Sequence, residues 1–509
     1  MTRTKRSIAS FLSLLLVQIT TVAIGFVSTP MLLHWLGDER YGAFRVALDL
    51  REYLLFLELG VGGALFSMLA QAISRQASVE ITLSVAIRVY VKLLCLMVLG
   101  GIGLSAIVAQ VASVSGAIAH ELQVGWCISV LSLLWLPLNV FQIFADASQR
   151  TYFKNLLLII QSSVAMVLSL GFAAFGFGIP GQFLAIFLGG SILSIAIAWD
   201  GFRRYPRLIT LILDPPAEAA QQVKQQLWQL NFPMLILQVV ARVSLLTDTA
   251  FVSYFIGTAA IVPFVMTQRL ATLAQTQLHS VGVSTWAALA ELYATDRRND
   301  FNARLVELTK LIVVVGLTLM IPIAAYNRHF IALWMGEARF AGWGVTLLVG
   351  CNGILRSVLY LWEFCFTGTG QIRAMVPLAI SGMTLNVTVS IVATQHFGMI
   401  GPLLGTLISC VGLYSWWLPK LLQKTFGTSP IELAIAIVRP LIVGVPYGTL
   451  IVWIAAHHTP LGWLGLATEM SGAAVLHGVL TSCFVLNATE RNQWKHRVLS
   501  IVPRFKLQA

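Results

Sequence analysis

Gly37–Leu65 reads G-D-E-R-Y-G-A-F-R-V-A-L-D-L-R-E-Y-L-L-F-L-E-L-G-V-G-G-A-L. It sits between two long apolar segments and has the length of a membrane helix. Arg45, Asp49, Arg51, Glu52 and Glu58 fall where such a helix should be apolar. A charged side chain at the centre of a spanning helix costs about 2.5–3.5 kcal/mol, so such groups face a bundle interior or a hydrated cavity. This helix is therefore expected to line a transport cavity whose walls are built by the rest of the chain.

The composition agrees. The 509 residues are 57% hydrophobic and 11% charged, with mean hydropathy +0.82, whereas a soluble chain carries about a quarter charged residues. Apolar runs of spanning length recur from end to end, and period-two strand signals are missing. An all-α polytopic membrane protein is expected rather than a β-barrel. Spans are expected at roughly 8–35, 43–73, 83–110, 124–147, 156–176, 181–201, 233–256, 260–287, 310–326, 344–366, 374–395, 399–418, 434–455 and 463–487. These make about 14 transmembrane helices. The run Ile8–Leu36 after T-R-T-K-R is too long for a signal-peptide core and is taken as an uncleaved first span.

The net charge of +12 is a topology signal rather than a nucleic-acid footprint. With the N-terminus inside, 25 of the 33 Lys and Arg residues fall in cytoplasmic loops and helix ends. Only Arg40, Arg328 and Arg339 lie outside, and Arg45, Arg51, Arg242, Arg269 and Arg356 lie within spans. Both termini are thus expected in the cytoplasm. The six cysteines lie in apolar segments without metal or redox spacing, and buried core thiols are expected.

The chain repeats itself. Gly37 precedes span two and Gly257 precedes span eight, an offset of 220; Gly178 and Gly398 precede spans six and twelve at the same offset. Six spans per half gives both halves one orientation, with a substrate site expected between them. The expected division is a first six-helix bundle over 1–206, a linker over 207–232, a second bundle over 233–424, and two additional helices with a basic cytoplasmic tail over 425–509. In the linker, Val223, Leu227 and Leu230 share a helical face, as in an amphipathic helix on the inner surface. One recurrence lies outside the 220-residue repeat. Trp35–Gly42 (W-L-G-D-E-R-Y-G) is similar to Trp334–Ala341 (W-M-G-E-A-R-F-A), as a pair of gate elements or as shared turn chemistry.

Spacing sorts the buried charges. Arg45, Asp49 and Glu52 form one stripe, and Arg51 and Glu58 a second, turned away from it. Arg356 and Glu363 share a face. Arg242 and Asp248 are six apart, so each seeks a partner on another helix. Arg269 has no acid within two turns, which favours a cavity role over structural pairing; at the repeat offset it is the counterpart of Asp49. These ten residues are the cavity or substrate-binding candidates. Structural ion pairing competes evenly with a cavity role for Arg45–Asp49 and Arg356–Glu363. His477 is expected to be a satisfied buried histidine. No catalytic, metal or cofactor site is expected, and a coupling proton or sodium ion is left open for Asp49, Glu52, Glu58 or Asp248.

Several stretches resemble one family. They are L-G-D-E-R-Y-G (Leu36–Gly42), L-G-V-G-G-A-L (Leu59–Leu65), N-F-P (Asn231–Pro233), I-A-L-W-M-G-E (Ile331–Glu337) and N-V-T-V-S-I-V-A-T-Q-H-F-G-M-I-G-P-L-L-G-T (Asn386–Thr406). Together they resemble the polysaccharide flippases, the O-antigen and exopolysaccharide branch of the multidrug/oligosaccharidyl-lipid/polysaccharide exporter superfamily. The resemblance implies a two-bundle alternating-access transporter of the bacterial inner membrane, acting as a monomer. It would move undecaprenyl-diphosphate-linked oligosaccharide to the outer leaflet, working beside glycosyltransferases and a polymerase. An anionic sugar-diphosphate needs a hydrated cavity with cationic groups, and guanidinium binds phosphate bidentately. A drug or organic-cation antiporter and a lipid II flippase of the same superfamily are the alternatives. A membrane glycosyltransferase or polymerase is the less favoured alternative, since it would need a sizeable external loop and the external loops are short; no nucleotide-binding loop is present.

Overall fold

The computed structural model describes residues 3–58, 61–74, 79–214, 221, 225, 232–487 and 491. The expected linker helix with Val223, Leu227 and Leu230, and the basic tail beyond residue 491, lie outside the described residues. Every described element is helical. Nine helices among the described residues are long and apolar enough to cross a membrane. The count of nine does not reproduce the expected fourteen; two of the nine run through more than one expected span, Arg3–Leu54 through span one and the start of span two, and 372–426 through spans eleven and twelve.

The joint within Arg3–Leu54 is Gly37, whose φ of 75° and ψ of 167° interrupt a 52-residue helix. Gly257 repeats this conformation at φ 121°, ψ 157°, and Gly336 at φ 91°, ψ 147°. A Cβ at any of the three would meet nothing within 4 Å, so backbone conformation rather than space demands glycine there. The offset of 220 is thus a repeat in backbone geometry as well as sequence. Gly178 and Gly398 also match, at φ 56° and 61°.

The chain divides into two compact units, 1–262 with 390–398, and 263–389 with 399–509. In the first unit, helix Arg3–Leu54 packs on Thr151–Ala174, which packs on Gly178–Arg204. Ala165 meets Gly189 so closely that a Cβ on the glycine would lie 2.8 Å away, a small-residue contact of the kind that joins membrane helices. The interior holds Tyr90, Trp126, Phe141 and Phe183, and the Trp126 Nε1 donates to the Gly101 carbonyl at 2.8 Å. Helix Phe232–Ile256, expected to open the second half, groups with this first unit.

The second unit is organised on Arg298–Met335, which packs against Trp343–Gly368, Pro430–His457 and Gly462–Phe484. The last two helices therefore rest directly on the second unit's central helix. Gly444 meets Leu317 and His477, and Gly448 meets Ile321. Ser429 caps Pro430–His457, accepting from the Glu432 amide, with Pro430 in the first turn. Leu99, Val167, Ile442 and Leu464 are more than half exposed, which suits a surface solvated by lipid.

Candidate functional site

Two spans of the first unit lose regular α geometry near their middles. Span two passes through a 3-10 stretch, Leu55–Glu58, and span four through another, Ser132–Leu138, which contains Pro137. Irregular backbone at membrane depth is tolerated only where protein buries it or where it lines a hydrated cavity. Here the two stretches line one cavity, of about 230 Å3.

Its walls are polar and of mixed type. Arg51 donates from Nη2 and Nε to the Ser132 Oγ at 3.1 and 3.3 Å, and the Ser132 Oγ donates to the Ser129 carbonyl at 2.6 Å. Glu58 accepts from the Tyr90 Oη at 2.9 Å and from the Asn139 side chain. The Gln142 Nε2 donates to the Asn139 Oδ1 at 2.9 Å. Two lining residues keep unmet capacity: the Trp135 Nε1 and the Gln161 Oε1 are buried without a hydrogen-bond partner. An unmet buried group costs about 1–3 kcal/mol; neither of these two atoms is itself exposed to the cavity, whose polar surface comes from the other groups named.

A second cluster in this unit joins Arg3–Leu54 to Phe232–Ile256. Asp49, only 5% exposed, pairs through Oδ1 with the Arg45 Nη2 at 3.2 Å and accepts from the Thr249 Oγ1 through Oδ2 at 2.7 Å. The adjoining Asp248 lies within electrostatic reach of Asp49, and its buried Oδ1 has no hydrogen-bond partner.

In the second unit, the Arg356 guanidinium lies 5.1 Å over the Tyr360 ring and donates to Cys410. Tyr360 lies in turn against His279, ring centroids 4.3 Å apart and planes tilted by 40°. Cys410 opens a π-helical turn, Cys410–Tyr414. A Cβ on Gly382 would lie 2.2 Å from the Tyr414 ring, so this wide turn is seated on a glycine.

Comparison with solved structures follows the same architecture. The lipid II flippase MurJ, in an inward closed conformation, superposes with a TM-score of 0.70 at 14% identity, over 94% of this chain and 98% of that one. The fold is shared with that flippase. A multidrug resistance MATE family transporter of the MOP superfamily, in an inward-facing conformation, gives 0.66 at 15% identity over 80% of this chain and 99% of its own. A MOP superfamily transporter from Pyrococcus furiosus, described by the reverse polarity of its binding pocket, gives 0.53 at 14% identity over 88% and 96%. No protein-family model and no curated protein matches the sequence.

On this fold the sequence-predicted residues separate into groups. Arg45 pairs with Asp49 as the four-residue spacing predicts. Glu52 makes its ion pair with neighbouring Arg51 at 3.7 Å rather than with Arg45, although all of these lie in one regular stretch of helix. Arg51 and Glu58 meet the same cavity without pairing. Asp49 and Asp248 come together in the first unit, whereas Arg269, Arg356 and Glu363 belong to the second. Arg269 is half-buried on Ile261–Ala294 and is not isolated. Arg356 and Glu363 make no ion pair within 4 Å among the described residues, although each feels the other's charge. Arg242 falls in helix Phe232–Ile256, but its side chain lies outside the described residues.

Two bland expectations are corrected. Cys95, Cys127, Cys351 and Cys483 are exposed, and only Cys365 and Cys410 are buried, because apolar spans turn one face to lipid. His477 is buried with its Nδ1 on the Thr318 Oγ1 at 2.8 Å, but its Nε2 has no partner. Sequence reasoning missed Ser132, Trp135, Asn139, Gln142, Gln161 and Ser194 as cavity lining. Pro137 amid mid-span Asn and Gln residues was the available signal.

Proposed function

We propose that this protein is an alternating-access flippase. In this reading it moves undecaprenyl-diphosphate-linked oligosaccharide from the inner to the outer leaflet of the bacterial inner membrane. The observation that carries the proposal is the mid-span cavity of the first unit, lined together by Arg51, Glu58, Ser132, Asn139 and Gln142. Sugar hydroxyls both donate and accept, so they suit walls that offer amides, hydroxyls, a carboxylate and a guanidinium together. An organic cation would gain from Glu58 but not from Arg51.

The MOP fold, shared with a lipid II flippase and a MATE transporter, supports transport rather than catalysis. The rest of the reading is fourteen crossings in two six-helix bundles plus two C-terminal helices, both termini in the cytoplasm, and no enzymatic activity of its own. Cationic residues such as Arg269 and Arg356 would serve the diphosphate. Asp248, with an unmet carboxylate oxygen beside Asp49, is the place we assign to a coupling proton or sodium ion. That same carboxylate pair is what favours the second reading, an organic-cation antiporter.

Deletion of the gene, scored for surface polysaccharide and for drug susceptibility, tests the proposal. Loss of O-antigen or exopolysaccharide, restored by the intact gene, is expected. Unchanged polysaccharide with increased susceptibility to cationic drugs would replace it with the antiporter.

A further inference from the structure

A separate pocket of about 370 Å3 opens where the first unit's helices end at the loop between Asn139–Ala147 and Thr151–Ala174. Arg150, Tyr152, Arg204, Tyr205 and Ser148 supply its polar lining. Both arginines bind one carboxylate oxygen, the Asp200 Oδ2, from the Arg150 Nη1 at 2.5 Å and the Arg204 Nε at 2.9 Å. Two positive charges therefore share one negative charge. Arg204 bonds only through Nε among the described residues, which leaves both terminal nitrogens able to donate.

The surroundings keep the positive excess. Lys154 is matched by Asp146. Glu80 acts on Tyr205 but does not line the pocket, and exposed Arg203 and Arg207 stand at the same helix end. Burial works against the Arg150 charge, yet the hydrogen bond and charge of Asp200, with a smaller part from Tyr152, hold its pKa above the usual arginine value. Beside the pocket, the short helix Leu208–Leu213 leaves Ile209 and Leu213 57% and 77% exposed. An apolar helix bearing exposed aliphatic residues next to arginines suits the boundary between headgroups and acyl chains.

We propose that this pocket binds the phosphate of a lipid headgroup in the leaflet at that end, which the charge bias assigns to the cytoplasm. The inference rests on the sidedness proposed above and not on the glycan substrate. Basic pockets between membrane helices bind anionic headgroups, and the arginine fork matches phosphate. Phosphatidylglycerol and a prenyl diphosphate present the same chemistry, so the experiment separates them.

The full-length protein in nanodiscs is examined by native mass spectrometry with phosphatidylglycerol, phosphatidylcholine, farnesyl diphosphate or inorganic phosphate. Selective retention of phosphatidylglycerol over phosphatidylcholine is expected, weakened about fivefold for each of Arg150→Gln and Arg204→Gln. Asp200→Asn frees both guanidiniums and should strengthen retention, whereas a merely structural triad would be loosened and bind less. Farnesyl diphosphate displacing phosphatidylglycerol at this site also supports the proposal and identifies the diphosphate as its source. Equal retention in the wild type and both arginine variants overturns it, as does weaker retention in a folded Asp200→Asn protein. Retention of inorganic phosphate with neither lipid overturns it too. None of these failures bears on whether surface polysaccharide is lost on deletion.

Discussion

The Thr249 Oγ1 donates to the Asp49 Oδ2 at 2.7 Å, tying helix Phe232–Ile256 to helix Arg3–Leu54. With Arg45 on the other oxygen, Asp49 is satisfied on both sides, while its neighbour Asp248 keeps a buried oxygen without a partner. The two carboxylates thus divide into a structural one and an available one.

That division predicts different outcomes for two similar substitutions. Asp49→Asn leaves Arg45 without its counter-charge and should cost about 1–2 kcal/mol. Breaking a buried pair costs about 3–5 kcal/mol, discounted here because the Arg45 side chain is 38% exposed. Asp248→Asn should leave stability close to wild type but abolish the dependence of transport on an ion gradient. Thermal unfolding in detergent and gradient-driven flipping in vesicles check the pair. Equal thermal losses, or gradient dependence preserved in Asp248→Asn, would refute the assignment.

Gln161→Leu tests the cavity without attacking the fold. The Gln161 Oε1 is buried and unmet, so an apolar replacement should leave stability unchanged or raise it by about 1 kcal/mol. Transport should nevertheless fall at least tenfold. Trp135→Phe, which removes the other unmet group and keeps an aromatic ring on Phe187, should act in the same direction. Full transport by a stable Gln161→Leu protein would remove the cavity from the substrate path.

Gly37→Ala and Gly257→Ala meet open space but a strained backbone. Each should lower stability by about 1–2 kcal/mol through left-handed φ alone. Gly63→Ala, with normal φ and open space, is the control expected near zero. Unfolding midpoints in detergent would show the contrast, and equal effects at all three positions would contradict the backbone account.

Much of this fold is legible in the sequence. Apolar run length gave the helices, since lipid admits little else. Gly37, Gly178, Gly257 and Gly398 gave the repeat, because a left-handed turn between spans selects glycine. The match between Trp35–Gly42 and Trp334–Ala341 is a match of turns: Gly37 and Gly336 share a conformation, but the side chains part company. Arg40 reaches Glu121 at 2.9 Å, whereas Glu337 pairs with Arg328 nearby. The cavity was not legible, for a physical reason. Helical spacing projects side chains on the assumption of unbroken α geometry, and Leu55–Glu58 and Ser132–Leu138 break it where the cavity forms.

Arg269→Ala addresses the cationic side of the proposal. The variant should abolish surface polysaccharide while the protein stays in the membrane at normal abundance, since the residue is assigned to the diphosphate rather than to the core. Membrane immunoblots beside polysaccharide gels would report both, and normal polysaccharide would remove Arg269 from the path.

The central claim is tested most directly by reconstituting the purified protein in vesicles with two fluorescent lipids. One is a polyprenyl-diphosphate-linked oligosaccharide and the other is the same polyprenyl diphosphate without its glycan. Protein-dependent flipping of the glycan-bearing lipid, faster than that of the bare lipid and lost in Gln161→Leu, is the predicted result. No flipping of either lipid, together with gradient-driven uptake of an organic cation by the same vesicles, would contradict it.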